Sequence, residues 1–142
     1  MRRFAIVSGS GQARPRASTI VTLPIVTPAL AAILSTREPE RLYSGLSVLV
    51  STAVDGEPAA ALATFGSLEL LLEPPAGDDL FARSLTQLID TARDIDSLTI
   101  HGCAASVQTL GIDAAAVEAR LDGVKSTPRF LRDTAGARLI FV

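Results

Sequence analysis

The sequence predicts a single three-layer α/β domain, in which a mostly parallel β-sheet is flanked by helices on both faces. The chain has 142 residues and is 48% apolar, which suffices for one compact domain with a substantial core. From residue 28 onward, short apolar runs alternate with amphipathic segments of helical length. Turn-forming residues separate these segments, as expected where strands and helices alternate along the chain.

The first strand and helix are predicted within residues 30–56. Residues 30–35 are an apolar run of strand length, and the helix is expected to start near Thr36 or Arg37, with Pro39 in its first turn. Apolar residues then recur on one helical face: Leu42, Leu46, Leu49, Val50 and Ala53. Asp55–Gly56 is expected to end this helix.

The middle of the chain repeats this pattern. Residues 59–65 form the second predicted strand, and Gly66 opens a short leucine-rich helix that ends before a loop at residues 74–78. Asp78 or Asp79 is expected to cap a longer helix. Its apolar face consists of Leu80, Phe81, Leu85, Leu88, Ile89 and Ala92.

The last third of the chain contains two more predicted strands, at residues 98–102 and 138–142. Between them, Cys103 begins a helical turn, Gly111–Asp113 ends that turn and caps a further helix, and Ser126–Pro128 starts another. Right-handed crossovers bring the carboxyl ends of parallel strands to one edge of the sheet, where ligands and chemistry collect.

Three residues are expected at this carboxyl edge: Thr36, Gly66 and Cys103. Cys103 is the only cysteine and the first candidate for chemistry, because helix-starting amides can lower the pKa of a thiol. Ser106, three residues later, is expected within hydrogen-bond reach of a thiolate. The alternative is that Cys103 packs in the core as a small hydrophobic residue.

His101 is the only histidine and the second candidate at this edge. In a strand it faces the same side as Cys103, with roughly 6.6 Å between their Cα atoms. That separation is too long for direct proton transfer, although a bend after Gly102 could shorten it. An ordinary polar residue at the tip of a strand is the competing interpretation.

Residues 1–27 are interpreted as an N-terminal arm or an extra edge strand, and residues 28–142 as the domain itself. Residues 4–7 are the candidate strand, residues 8–16 have the composition of a mobile linker, and the arm could join the sheet of a neighbouring subunit. The apolar stretch 19–34 is interrupted by two prolines and three threonines, so it is too broken to span a membrane; a cleaved signal is the alternative.

Composition excludes several classes of function. Residues 1–36 carry a charge of +4, which leaves −6 for the remainder, and only 4% of residues are aromatic, so the composition disfavours a nucleic-acid surface. One Cys and one His cannot form a Cys/His zinc site, and Gly9–Gly11 lacks the third glycine of a dinucleotide fingerprint. We therefore expect no metal and no organic cofactor. A single cysteine fits a reducing, cytoplasmic location.

The chain resembles the DsrE/DsrF-like superfamily of sulfur-relay proteins over residues 29–142. The resemblance is carried by residues 30–41, the turn at 53–56, the Phe65–Gly66 loop and, above all, Ile100-His-Gly-Cys103-Ala-Ala-Ser106 with its Leu110-Gly-Ile tail. It implies a flavodoxin-like topology and a cysteine that carries a persulfide, a role that would fall to Cys103. It also implies homo- or hetero-oligomers, often trimers or hexamers.

Two functions follow as expectations. The first is a sulfurtransferase-like carrier, in which Cys103, with Ser106 and His101 beside it, receives sulfane sulfur from a donor protein and passes it to an acceptor. The second is a non-catalytic oligomeric binding or scaffold subunit, with a ligand cleft or an interface at the carboxyl ends of the strands.

Overall fold

The computed structural model describes residues 5–8, 19–22 and 27–142 of the chain. The strands are β1 (Ala5–Ser8), β2 (Thr19–Thr22), β3 (Leu30–Leu34), β4 (Ala59–Ala63), β5 (Leu98–Cys103), β6 (Val124–Lys125) and β7 (Arg138–Phe141). The helices are α1 (Pro39–Val54), α2 (Phe65–Leu72), α3 (Leu80–Asp94), α4 (Ala104–Leu110), α5 (Ala114–Arg120) and α6 (Thr127–Asp133).

Strands β3 to β7 form one parallel sheet in the order β6-β5-β4-β3-β7. The chain steps in one direction from β3 to β6 and then returns across the sheet to β7. Right-handed crossovers therefore place α1 to α5 on one face and α6 on the other. The predicted α/β fold, with a parallel sheet and helices on both faces, is confirmed.

The core is divided unequally between the two faces of the sheet. On the first face, α1 to α5 cover the inward side chains of β3, β4 and β5. The large buried residues there include Leu34, Leu42, Leu46, Leu49, Leu68, Leu71, Leu85, Ile89, Leu98 and Ile100. The second face has a smaller buried cluster: Ala31, Ala60, Leu62, Cys103 and Phe130. Within the described part of the chain, α6 is the helix that covers this second face.

Short side chains fix the starts of the helices, as the sequence indicated. Asp79 accepts a hydrogen bond from the Ala82 N–H at 2.8 Å, Asp113 accepts from Ala115 at 3.0 Å and Ser126 accepts from Arg129 at 3.3 Å. The first helix begins at Pro39, slightly later than expected, because the Thr36 hydroxyl accepts from the Glu38 N–H just before the helix.

Strands β1 and β2 pair with each other in antiparallel register, as a two-stranded sheet separate from the five-stranded one. The strand expected within residues 4–7 is present as Ala5–Ser8, and β2 lies inside the apolar stretch 19–34. Most of the predicted linker, residues 9–16, lies outside the described residues. No helix in the described ranges has the length and apolar character that crossing a membrane requires.

Candidate functional site at the carboxyl edge of the sheet

The loops that follow β3 and β4 are joined at the carboxyl edge by side-chain hydrogen bonds to the backbone. The Thr64 hydroxyl donates to the Leu34 carbonyl at 3.1 Å, and the Ser67 hydroxyl donates to the Thr36 carbonyl at 2.8 Å. Gly66 lies against Arg37, where a Cβ atom would overlap the arginine side chain. The parallel topology thus brings Thr36, Gly66 and Cys103 to one edge, as predicted.

Cys103 is the last residue of β5 and immediately precedes α4. The residue before it, Gly102, has no room for a side chain, because a Cβ atom there would lie 3.0 Å from Val117 and 3.2 Å from Leu68. This glycine lets α5 and α2 pack closely on the end of β5. By strand alternation, Cys103 then projects onto the second face of the sheet, opposite the larger core.

The Cys103 side chain is 4% exposed and packs with Leu62 and Phe130. Its sulfur lies 3.7 Å from the Thr127 hydroxyl oxygen at the start of α6. This contact exists because β5 and β6 pair with Cys103 opposite Lys125, so the chain two residues later passes over the thiol. The thiol is thus enclosed between the end of β5 and α6.

The surroundings of the thiol favour its ionised form. Burial raises the pKa of Cys103, but hydrogen bonds from the backbone and hydroxyl of Ser106, the hydroxyl of Thr127 and the backbone of Ala105 outweigh that effect. The net result is a pKa below the ordinary value for a thiol. The carboxyl edge of the sheet therefore holds a buried thiol with a lowered pKa.

Ser106 connects the thiol to the neighbouring loop. It is fully buried, and its hydroxyl oxygen accepts a hydrogen bond from the Phe65 N–H at 3.1 Å. Because the Ser106 hydroxyl accepts from the Phe65 N–H, its own proton is still available to donate to the Cys103 sulfur. Phe65 itself has a positive φ of 41°, which is rare for a bulky residue, and this backbone conformation directs its N–H toward Ser106.

His101 lies one strand repeat before Cys103 on the same face and is half-buried. Burial, and then the positive charge of Lys125, lower the pKa of His101 to about 4, although Asp122 and Asp133 act in the opposite direction. The imidazole is therefore neutral near pH 7.

The His101 Nδ1 atom is buried and has no hydrogen-bond partner among the described residues. The hydrogen bonds that lower the thiol pKa come from Ser106, Thr127 and Ala105. The structure thus brings Ser106 to the thiol and places His101 beside it on the strand, while a role of His101 in proton transfer stays a prediction.

An ion pair next to this site was not foreseen from the sequence. The Lys125 ammonium lies 2.9 Å from an Asp133 carboxylate oxygen, and the Arg129 guanidinium lies 3.6 Å from the same oxygen. Burial raises the pKa of Asp133, but the hydrogen bond and the positive charge of Lys125 have a larger opposite effect, so the pKa of Asp133 is below its usual value. Lys125 and Asp133 therefore fix α6 to β6, beside Cys103.

Sequence reasoning also missed Phe65 and Thr127 as neighbours of the site. Both follow the carboxyl end of a strand, and Thr127 lies in the helix-starting Ser126–Pro128 segment. Phe65 could have been identified from this position, because β4 was predicted from the sequence. Thr127 follows β6, a two-residue strand that no apolar run announced.

No protein-family model matches the chain, and no curated protein is significantly similar to it in sequence. Within the described ranges, His, Cys, Asp and Glu side chains form no group of three or more that could hold a metal ion.

Proposed function

We propose that the chain is a small sulfur carrier of the DsrE/DsrF-like type, in which Cys103 accepts a sulfane sulfur and passes it on. The observation that supports this most directly is the lowered pKa of the buried Cys103 thiol. Ser106 and Thr127 hydroxyls and the Ser106 and Ala105 amides lower it, against the effect of burial. The thiolate is the nucleophilic form of cysteine, so these contacts favour the reactive species.

The loading step is an exchange between two sulfur–sulfur bonds. The Cys103 thiolate attacks the outer sulfur of a donor persulfide, R–S–SH. A bond forms between Sγ and that sulfur, the donor's S–S bond breaks, and the donor leaves as a thiolate. The hydrogen stays on the transferred sulfur. In the unloading step an acceptor thiolate attacks the same outer sulfur, and Cys103 leaves as a thiolate. No external oxidant or reductant is consumed.

The contacts around Sγ support both steps. The same hydroxyl and amide donors that stabilise the thiolate before loading also stabilise Cys103 as the leaving group during unloading. Ala104 and Ala105, the first residues of α4, have small side chains that would not obstruct a partner's thiol once the site opens. Ala105 is itself exposed at this edge.

The 4% exposure of Cys103 requires that the site opens for a donor to reach the sulfur. Thr127 and Phe130 of α6 form the cover. Helix α6 has only seven residues, so displacement of this one short element would uncover Sγ.

The test is alkylation of folded Cys103 across pH, followed by intact mass, with a parallel incubation with a persulfide donor. A carrier reacts well below pH 8.5, the ordinary thiol pKa, and gains the mass of one sulfur atom. The Cys103→Ser variant is the control that must keep the fold and gain nothing. A folded wild-type protein that gains no sulfur, or a Cys103→Ser variant that still gains it, overturns the proposal.

A second candidate is a non-catalytic binding or scaffold subunit, which the near-complete burial of Cys103 favours. In that case Cys103 packs with Leu62 and Phe130, and a ligand would use a surface groove. One groove of about 430 Å³ lies between α2, α4 and α5 and includes Glu73 and Arg120. This candidate predicts a thiol that resists alkylation until the protein unfolds.

The carrier role implies partners and a setting. Donor and acceptor proteins must each present a sulfur to Cys103, and a reducing compartment such as the cytoplasm keeps the thiol available. The resemblance further implies assembly into homo- or hetero-oligomers, such as trimers or hexamers.

A further inference from the structure

Strand β7 forms one edge of the main sheet and pairs, among the described strands, with β3. The Arg138 N–H donates to the Ala29 carbonyl at 3.0 Å, and the Val142 N–H donates to the Ile33 carbonyl at 2.9 Å. In a parallel pair, alternate residues direct both backbone groups to the same neighbour. The backbone N–H and C=O of Leu139 and Phe141 therefore point away from β3, along the open edge.

The side chains of these same two residues are also exposed. Leu139 is 41% and Phe141 is 73% exposed, and they lie beside Ala31 and Ile33 on the second face of the sheet. An apolar strand with an open edge is a template for pairing with another chain.

The opposite edge of the sheet differs from β7 in two protective features. Strand β6 has only two residues, and one of them is a lysine that is held in an ion pair. Short strands and edge lysines are two common ways in which proteins prevent edge-to-edge pairing. β7 has four residues, and its one charged residue, Arg138, lies at its amino end; Leu139 to Phe141 include neither a charged residue nor a proline.

We infer that the β7 edge is an interaction surface for a second copy of this chain. The two β7 strands pair in antiparallel orientation about a twofold axis at Ile140, and the two sheets become continuous. Leu139 then lies opposite the partner subunit's Phe141, and Phe141 lies opposite the partner subunit's Leu139. Both are hydrogen-bonded pairs of the antiparallel type, so all the outward N–H and C=O groups of these residues gain partners.

Side-chain complementarity favours a second copy over an unrelated strand. The register places two aromatic–aliphatic cross-strand pairs on the second face, where each exposed side chain covers the other. Arg138 lies at the amino end of β7, so in the antiparallel pair it meets the carboxyl end of the partner strand. There, a groove of about 460 Å³ between α1 and β7 is lined by Val142 and by one acid and one base, Glu40 and Arg41. Glu40 supplies the carboxylate that Arg138 would meet.

The inference is independent of the sulfur-carrier proposal. The sheet order separates β7 from the Cys103-bearing β5 by two strands, β3 and β4. Loss of the β7 contact would therefore leave the thiol and its hydrogen bonds in place, and the two proposals can fail separately.

The test is sedimentation equilibrium of the full chain over roughly 1 to 100 µM. We expect a particle of twice the 14.8 kDa chain mass, or a larger assembly with an even number of chains. Phe141→Lys places a charge at the pairing surface, and we expect it to halve the mass of the assembly or weaken self-association on the order of tenfold or more.

The matched control is Leu80→Lys, because Leu80 is 74% exposed, as Phe141 is at 73%, but lies at the start of α3. It should leave the assembly unchanged. Circular dichroism confirms that each variant folds, and a charge exchange gives a second test. Arg138→Glu alone should weaken assembly, and Arg138→Glu combined with Glu40→Arg should restore it.

Four results would overturn the inference. These are a monomer at every concentration, a trimer, an assembly that Phe141→Lys leaves intact, and an equal effect of Leu80→Lys. Failure of the charge exchange to restore assembly would overturn the register.

Discussion

Removal of the Ser106 hydroxyl is the most direct test of how the fold acidifies Cys103. This hydroxyl is fully buried, accepts a hydrogen bond from the Phe65 N–H at 3.1 Å and contributes to the lowered pKa of Cys103. Ser106→Ala deletes one oxygen and one proton from a closed space. The Ser106 and Ala105 amides and the Thr127 hydroxyl would still act on the sulfur.

The expected magnitude follows from the strength of one hydrogen bond to a charged group, about 1.5–3 kcal/mol. Ser106→Ala removes this stabilisation from the thiolate, so the pKa of Cys103 should rise. The free energy of unfolding should also fall by about 1 kcal/mol, because the Phe65 N–H loses its acceptor.

The assay is the rate of Cys103 alkylation as a function of pH, together with the ultraviolet absorbance of the thiolate. Ser67→Ala is the matched control, because Ser67 is also fully buried at this edge and donates to the Thr36 carbonyl at 2.8 Å. Both variants should lose similar stability, but only Ser106→Ala should raise the pKa of the thiol. Equal pKa values in the two variants would refute the assigned role of Ser106.

Three further predictions concern stability. Because the pKa of His101 is lowered from 6.5 to about 4, the free energy of unfolding should fall as pH drops from 6.5 to 4 and stay constant above 6.5. In denaturant titrations this loss should be about 1–2 kcal/mol relative to His101→Gln, after allowance for solvent screening. Parallel pH profiles of the two proteins would contradict this prediction. Asp133→Asn leaves the Lys125 side chain, which is 9% exposed, without its carboxylate partner and should lower the free energy of unfolding by about 2 kcal/mol. The double variant Lys125→Met, Asp133→Leu should recover most of this loss. Gly66→Ala forces a methyl group into Arg37 and should lower the free energy of unfolding by about 1–3 kcal/mol; a neutral effect would show that Arg37 moves aside freely.

Much of the fold could be predicted from the sequence, because local signals agreed with the final structure. The caps formed by Asp79, Asp113 and Ser126 lie where short polar residues precede helical segments. Strand β6 could not be predicted, because Val124–Lys125 has no apolar run and exists as a strand only through its pairing with β5. The same limitation hid the contact between Thr127 and Cys103.

The candidate site was predictable where its residues are close in sequence. Ser106 is three positions from Cys103, so a helical start after β5 was enough to suggest the contact. The Phe65 N–H reaches Ser106 across 41 positions, and it depends on a positive φ that nothing in the sequence requires of a phenylalanine. Local spacing therefore identified the candidate thiol and one of its hydrogen-bond donors, whereas the contacts of Phe65 and Thr127 depend on long-range pairing.

The pairing of β3 with β7 sets the order in which this domain can complete itself during synthesis. The first strand of the main sheet is bonded to the last, and Ser35 meets Val142 across 107 positions of the chain. Contacts between such distant segments form late, because the loop between them must close first. As the chain leaves the ribosome, the edge of β3 that pairs with β7 therefore stays unpaired until β7 has been synthesised. During that interval the unpaired edge of β3 is open to pairing with other chains, which a chaperone would prevent.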